Sequence, residues 1–256
     1  SQRLNRPIDL YLDLTQSLRS LYFGKFSGAK LKLGYKWHRF HRWFLDLAVN
    51  RSFTKFEGDS FMDVPRMIGL DRDVSIPSYQ PPNSFHSDYQ KWLESVELTS
   101  EEDFLLLNSG ARGVDKRWDE EKWPKLIEEL HHGFPCRQVL LEGPSEEGIT
   151  DRIISKISDT SLRNDLVTNQ NRPLGEVAHL AHKANGIITN DTYLLHLGIT
   201  LGTPTFCIFN NKDPFRYRLE RGLHDYIFDL ETSKPDVEQV VHDVKCWIED
   251  AGLFTG

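Results

Sequence analysis

Cysteine is scarce. The 256 residues include three, Cys136, Cys207 and Cys246, and they lie far apart. Their odd number and wide spacing fit neither a disulfide framework nor a metal-ligand pattern, and they suit a reducing, cytoplasmic setting. Long apolar runs are missing too: none approaches the roughly 20 residues that a bilayer-spanning helix needs. Net positive charge is also lacking. Thirty-eight acidic and 31 basic side chains leave a net charge of −7, which argues against a broad nucleic-acid surface. Any anion site must therefore be a local basic pocket. Internal repeats and low-complexity tracts are absent. The rest of the composition is that of a globular chain long enough for one large domain or two smaller ones.

Patterning divides the chain. Ile8–Leu14 reads as a strand, Thr15–Phe26 as a helix and Ala29–Tyr35 as another strand. The aromatic and basic run from Trp37 to Phe56 has no clear period. Asp59–Leu70 reads as a short helix closed by Gly69. Pro-, Ser- and Tyr-rich residues follow and read as a linker, taken over 76–100. From Glu101 onward, strands at 103–108, 137–143, 164–168, 186–190 and 204–210 alternate with helices at 119–132, 145–158, 173–184 and 191–202. That alternation predicts an α/β domain with a parallel sheet covered on both faces. A final helix from Pro235 to Ala251 places Val237, Val240, Val241, Val244, Trp247 and Ile248 on one side. The expected organisation is thus 1–75, a linker over 76–100, a domain over 101–234, and a closing helix and tail over 235–256.

Open parallel sheets bind ligands at the carboxyl ends of their strands. Three segments are expected there. In "NDTYLLH", Asn190 or Asp191 is placed to cap a helix whose N–H groups and positive dipole end suit a phosphate. Thr192 and His196, four apart, share one face of it. The bland alternative is an ordinary cap followed by a core histidine. In "GARGVDKRW", two glycines allow close backbone approach and Arg112, Lys116 and Arg117 supply charge. This is not a P-loop, because G-x-x-x-x-G-K-[ST] is missing, and a solvated basic loop would read the same way. In "EGPSEE", Glu146 or Glu147 suits ribose hydroxyls, or merely enriches a helix start in acid. Asp71 and Asp73 in "DRD" read as a turn after the Gly69 stop, and His131–His132 as a helix end. His38 and His41, in "KWHRFHRW", fit either an anionic acceptor or amphipathic packing, with packing favoured.

Taken together, "NSGARGVDKRWDEEKW", "VLLEGPSEE", "PLGEVAHLAHKANGIITNDTYLLHLGITLGTPTFCIFN" and "IDLYLDLTQSLRS" resemble glycosyltransferase family 9, the ADP-heptose:lipopolysaccharide heptosyltransferases. The resemblance implies a GT-B-like fold of two Rossmann-like domains. It enters at a late strand of the family's N-terminal domain, so that domain is expected to be incomplete. It implies inverting, metal-independent transfer from a nucleotide-sugar donor to a glycan or lipid A-core acceptor, without a cofactor. It also leaves room for peripheral contact with the inner membrane surface. By the same resemblance, Lys116 would meet donor phosphate or sugar, Glu146 the ribose, and the backbone near Arg172 the adenine. Asp191 would hold sugar hydroxyls, and Thr192, Tyr193 and His196 would surround the diphosphate.

Two departures stand out. The family's Asp-Thr-Gly is Asp-Thr-Tyr here, and no strand followed by a Gly-Asp loop supplies the family's base. Asp13 is the internal substitute. The alternatives are a catalytically inactive nucleotide-sugar-binding protein and another GT-B-like enzyme, such as a nucleotide-sugar epimerase.

Overall fold

The computed structural model describes residues 7–36, 39–134, 136–144, 146–210, 223–229 and 234–254. The chain forms two compact units. One holds the described residues up to Ser75, and the other those from Ile76 onward.

The first unit is a three-stranded parallel sheet in the order β1 (Leu10–Asp13), β2 (Leu31–Tyr35), β3 (Leu47–Val49). Helix α1 (Leu18–Phe26) follows β1 and opens with a capping box, in which the Ser17 hydroxyl accepts from the Ser20 N–H at 3.2 Å. Gly24 lets this helix close on the strand, since a Cβ there would stand 2.5 Å from the Tyr11 ring. Helix α2 (Glu57–Arg66) runs into a turn at Gly69, whose φ is +80°. Asp71–Asp73 lie in irregular chain past that turn rather than in a turn of their own, and Asp71 pairs with Arg66 at 2.6 Å. In the aromatic run, Phe44 and Leu45 pack with Leu21, whereas Phe40 and Trp43 are exposed. The packing expected of "KWHRFHRW" is therefore carried by the residues just after it. His38 lies outside the described residues. Strand β3 went unread in the sequence because three residues are too few to show a period.

The second unit is doubly wound. Six parallel strands, β4 (Phe104–Asn108), β5 (Arg137–Glu142), β6 (Val167–Gln170), β7 (Gly186–Asn190), β8 (Thr205–Phe209) and β9 (His224–Phe228), lie in the order β6-β5-β4-β7-β8-β9. Their side chains alternate between two cores. Leu105, Leu107, Leu140, Ile188 and Ile208 face α4 (Trp123–Gly133), α5 (Ile149–Ser155), α6 (Thr160–Asp165) and α9 (Val237–Asp250). Phe104, Leu106, Val139, Leu141 and Ile187 face α3 (His86–Ser95), α7 (Leu174–Lys183) and α8 (Tyr193–Leu201). Both faces are covered, which is why these strands read as continuous apolar runs.

Several expectations are corrected. Part of the stretch read as linker is α3, whose Tyr89, Trp92 and Leu93 are buried at helical spacing. His179 Nε2 further ties Pro82 O into this unit at 2.9 Å. The Pro- and Ser-rich surroundings had masked that short period. Helix α4 starts at Trp123, so the acids Asp119–Glu121 precede its first turn, and Pro124 sits where no intrahelical N–H is needed. Asn164 and Asp165 end α6 rather than begin a strand.

Candidate active site

The chain winds outward from β4 in one direction and from β7 in the other, so the order of strands reverses between these two. That is the switch point at which open α/β sheets form a ligand crevice. The segments leaving both strands are held together by buried amides. Asn190, fully buried, accepts from the Trp118 N–H at 3.1 Å and donates to Ser109 O at 2.8 Å and Gly110 O at 3.2 Å. Asn210, at the end of β8, donates to Asp115 O at 3.2 Å and Arg117 O at 2.8 Å. These two asparagines clamp the basic loop 109–118 from below. Neither role was legible in the sequence, where Asn190 read as a helix cap.

The cap is Thr192. Its hydroxyl accepts from the Leu194 N–H at 3.2 Å and from Asn108 Nδ2 at 3.2 Å. Asn190 and Asp191 do not cap, because Asn190 is still in the strand and its amide is spent on the loop. The clamped loop brings Lys116 Nζ to 2.7 Å from Asp191 Oδ2. This contact is an ion pair with poor hydrogen-bond direction: that oxygen is buried without a well-aligned donor, while the ammonium also lies 3.4 Å from Asp191 O. Asp191 is 5 % exposed. A cation and a buried carboxylate therefore meet at the start of α8.

Tyr193 and His196 face the same crevice. His196 is no core residue, since its side chain reaches solvent. It is still crowded enough that desolvation lowers its pKa below the usual value. Asp191 opposes that shift and Lys116 adds to it. The Tyr193 phenol is pushed up to about 12, first by burial and then by the charge of Glu146. Because 45 % of the residue is exposed, solvent tempers this effect.

Glu146 closes a turn after β5, accepting from the Gly143 N–H at 3.0 Å. Its carboxylate lies against Gly110, where an added Cβ would fall 1.9 Å from Glu146 Cδ. It thereby joins the loops after β4 and β5. Glu146 and Glu147 do not lie in the first turn of α5, the place expected of them. Glu142, 3 % exposed, caps that helix instead, accepting from the N–H groups of Gly148 and Thr150 at 2.9 Å each and from the Thr150 hydroxyl at 2.7 Å. Burial alone would raise the Glu142 carboxyl. The donors outweigh it and hold the group below its usual value.

Arg172 follows β6, two strands from β4 and hence roughly 10 Å along the edge, where it pairs with Glu176 at 3.5 Å. Arg112 is exposed on the basic loop. Asp13 belongs to the other unit. It is 2 % exposed, and its oxygens accept from the Thr15 N–H and hydroxyl at 3.0 Å each, the Gln16 N–H at 3.3 Å and the Ser20 hydroxyl at 2.8 Å. No group of three or more His, Cys, Asp or Glu side chains able to hold a metal ion occurs among the described residues. No helix among them is long and apolar enough to cross a membrane.

The model of the family "Glycosyltransferase family 9 (heptosyltransferase)" matches residues 1–240. The chain belongs to glycosyltransferase family 9. A glycosyl transferase family 9 protein from Veillonella parvula DSM 2008 superposes with a TM-score of 0.81 at 17 % identity, covering 96 % of this chain and 75 % of that one. The E. coli ADP-heptose LPS heptosyltransferase II gives 0.76 at 16 %, with 95 % and 77 % covered. E. coli heptosyltransferase WaaC, solved with ADP-2-deoxy-2-fluoro heptose, gives 0.67 at 18 %, with 96 % and 73 % covered. At these identities the superpositions speak to fold, and the fold is that of the GT-B-like glycosyltransferases. No curated protein matches the sequence. As a family 9 member the chain is a glycosyltransferase, with its candidate site at the carboxyl edge of the second sheet.

Proposed function

We propose that this glycosyltransferase moves a heptose from an ADP-linked donor to a lipopolysaccharide-core or similar glycan acceptor, with inversion and without a metal, in the cytoplasm. Contact with the inner face of a membrane would come through its acceptor. The observation that carries this reading is the Lys116 ammonium beside Asp191 at the start of α8. In the reaction, the acceptor oxygen attacks the anomeric carbon on the face opposite the diphosphate. The bond from that carbon to the diphosphate oxygen breaks, its electron pair leaves with the diphosphate, and the acceptor proton passes to a base. The transition state is oxocarbenium-like, as in other glycosyl chemistry. Charge grows on the departing diphosphate, where Lys116 and the first-turn N–H groups of α8 would stabilise it. Asp191 would meet sugar hydroxyls, Glu146 the ribose, the backbone at Arg172 the adenine, and Arg112 would add charge at the rim. Asp13 remains the candidate base, although a proton taken there displaces one of its own turn's hydrogen bonds.

Calorimetry with ADP and mass-spectrometric detection of transfer from ADP-heptose to a deacylated lipid A acceptor test this reading. Lys116→Ala is expected to weaken ADP binding about tenfold or more, the loss of one charge-assisted contact. Unchanged affinity in both Lys116→Ala and His196→Ala counts against the site. Tight ADP binding without transfer favours an inactive nucleotide-sugar-binding protein, and release of free nucleotide without acceptor favours an epimerase.

A further inference from the structure

We propose that Tyr193 is a gate on the diphosphate seat: its ring covers the start of α8, and a nucleotide diphosphate enters only when the ring swings aside. This deepens the reading of the crevice as a nucleotide-diphosphate site and rests on it. Side chains on an α-helix lean toward the helix N-terminus. Tyr193 is the first residue of α8, directly after the Thr192 cap, so its Cα–Cβ bond tilts toward the N–H groups that would receive a phosphate. At 45 % exposure it is not packed into the core. Leu194 and Leu195, its neighbours in the same turn, are buried completely.

The backbone of the opposite wall is fixed. Glu146 stands against Gly110 and is tied to the Gly143 N–H, and Asn190 holds Ser109 and Gly110 to β7. Room for a diphosphate at the helix start therefore comes from side chains rather than from that backbone, and Tyr193 is the side chain at the helix start. A side chain attached at one turn's end can rotate about χ1 without disturbing the strand or the clamp.

The gate lowers apparent affinity by the fraction of time it stands open. If the open rotamer is held about one-tenth of the time, ADP binds about tenfold more weakly than the seat itself allows. The test is calorimetry with ADP on the full chain for the parent, Tyr193→Gly, Tyr193→Phe and Lys116→Ala, with thermal melts of each. Removing the ring is expected to tighten ADP about tenfold. Tyr193→Phe, which keeps the ring and loses only the hydroxyl, is expected to match the parent within about twofold. Where Tyr193→Gly melts far below the parent, Tyr193→Ser gives the same reading without glycine's backbone freedom.

Weaker or unchanged binding in Tyr193→Gly and Tyr193→Ser, with Lys116→Ala still weakened, overturns the gate and leaves the site standing. Weakening in Tyr193→Phe also overturns it, because the hydroxyl would then be a ligand to the phosphate. No change in any of the variants, Lys116→Ala included, removes the seat itself.

Discussion

Asn190 shows how one amide fixes the chemistry of a loop. It is fully buried and makes three hydrogen bonds to main-chain groups of the 109–118 segment. Asn190→Ala leaves a donor and two acceptors unpaired inside the protein, which costs about 1–3 kcal/mol for such groups. Denaturant melts are expected to show that loss, and ADP affinity should fall with it, since Lys116 rides on the released loop. Gly110→Ala is expected to act differently. Its new Cβ meets first the end of the flexible Glu146 side chain, so stability should change little while the carboxylate leaves its place. If Glu146 meets the ribose, adenosine nucleotides lose affinity and inorganic pyrophosphate does not. His196 reports on the charges around it. Its titration midpoint, followed by NMR, should lie below 6.5 in the parent. It should rise in Lys116→Ala, which removes a repelling cation, and fall in Asp191→Asn, which removes an attracting anion. Movement in the opposite sense would mean that neither charge faces the imidazole.

At the scale of elements, α5 depends on a single buried carboxylate. The folded Glu142 carboxyl lies below its usual value of 4.5. A depressed acid contributes stability above the unfolded pKa and loses it as pH falls through the folded one. Glu142→Gln should therefore melt earlier than the parent at pH 7. The gap should close as pH drops below about 4.5; a gap independent of pH would mean that the carboxylate charge does not matter. This cap also marks the limit of what the sequence makes legible. Apolar runs located β4, β5, β7 and β8 because strands covered on both faces must be apolar throughout. Caps did not follow from sequence neighbours: Glu142 reaches forward across the turn to Gly148 and Thr150, and Thr192 serves where Asn190 or Asp191 was expected. Strand β9, helix α6 and helix α3 were lost for lack of length or because polar surroundings hid the period. The candidate site was legible as three strand ends. The amides that lock those ends together were not, since Asn108, Asn190 and Asn210 look like ordinary turn formers until the sheet order is known.

For the molecule as a whole, the order β6-β5-β4-β7-β8-β9 makes two edges of one sheet unequal. The carboxyl edge gathers Lys116, Asp191, Tyr193, His196 and Glu146. The amino edge holds a hollow of about 390 Å³ lined by Glu102, Asp103, His131, Phe134, Cys136 and Arg137. The hollow presents two carboxylates and a thiol that burial pushes up to about 12, and its one arginine is already paired with Glu102 at 3.3 Å. A diphosphate has little to gain there. At the carboxyl edge, a lysine, a helix start and a backbone loop converge, and the loop is held by side chains 6 % exposed or less. Hydrogen exchange on the full chain with and without ADP separates the two. Protection is expected in 109–118, 143–150 and 190–196, and no change in 100–104 or 131–137. Binding that stabilises the native state slows every amide that exchanges only by global unfolding, so the discriminating signal is in loop amides that exchange by local opening. If the 131–137 segment is the one that slows, the nucleotide sits at the amino edge, and the switch point between β4 and β7 is not where this transferase holds its donor.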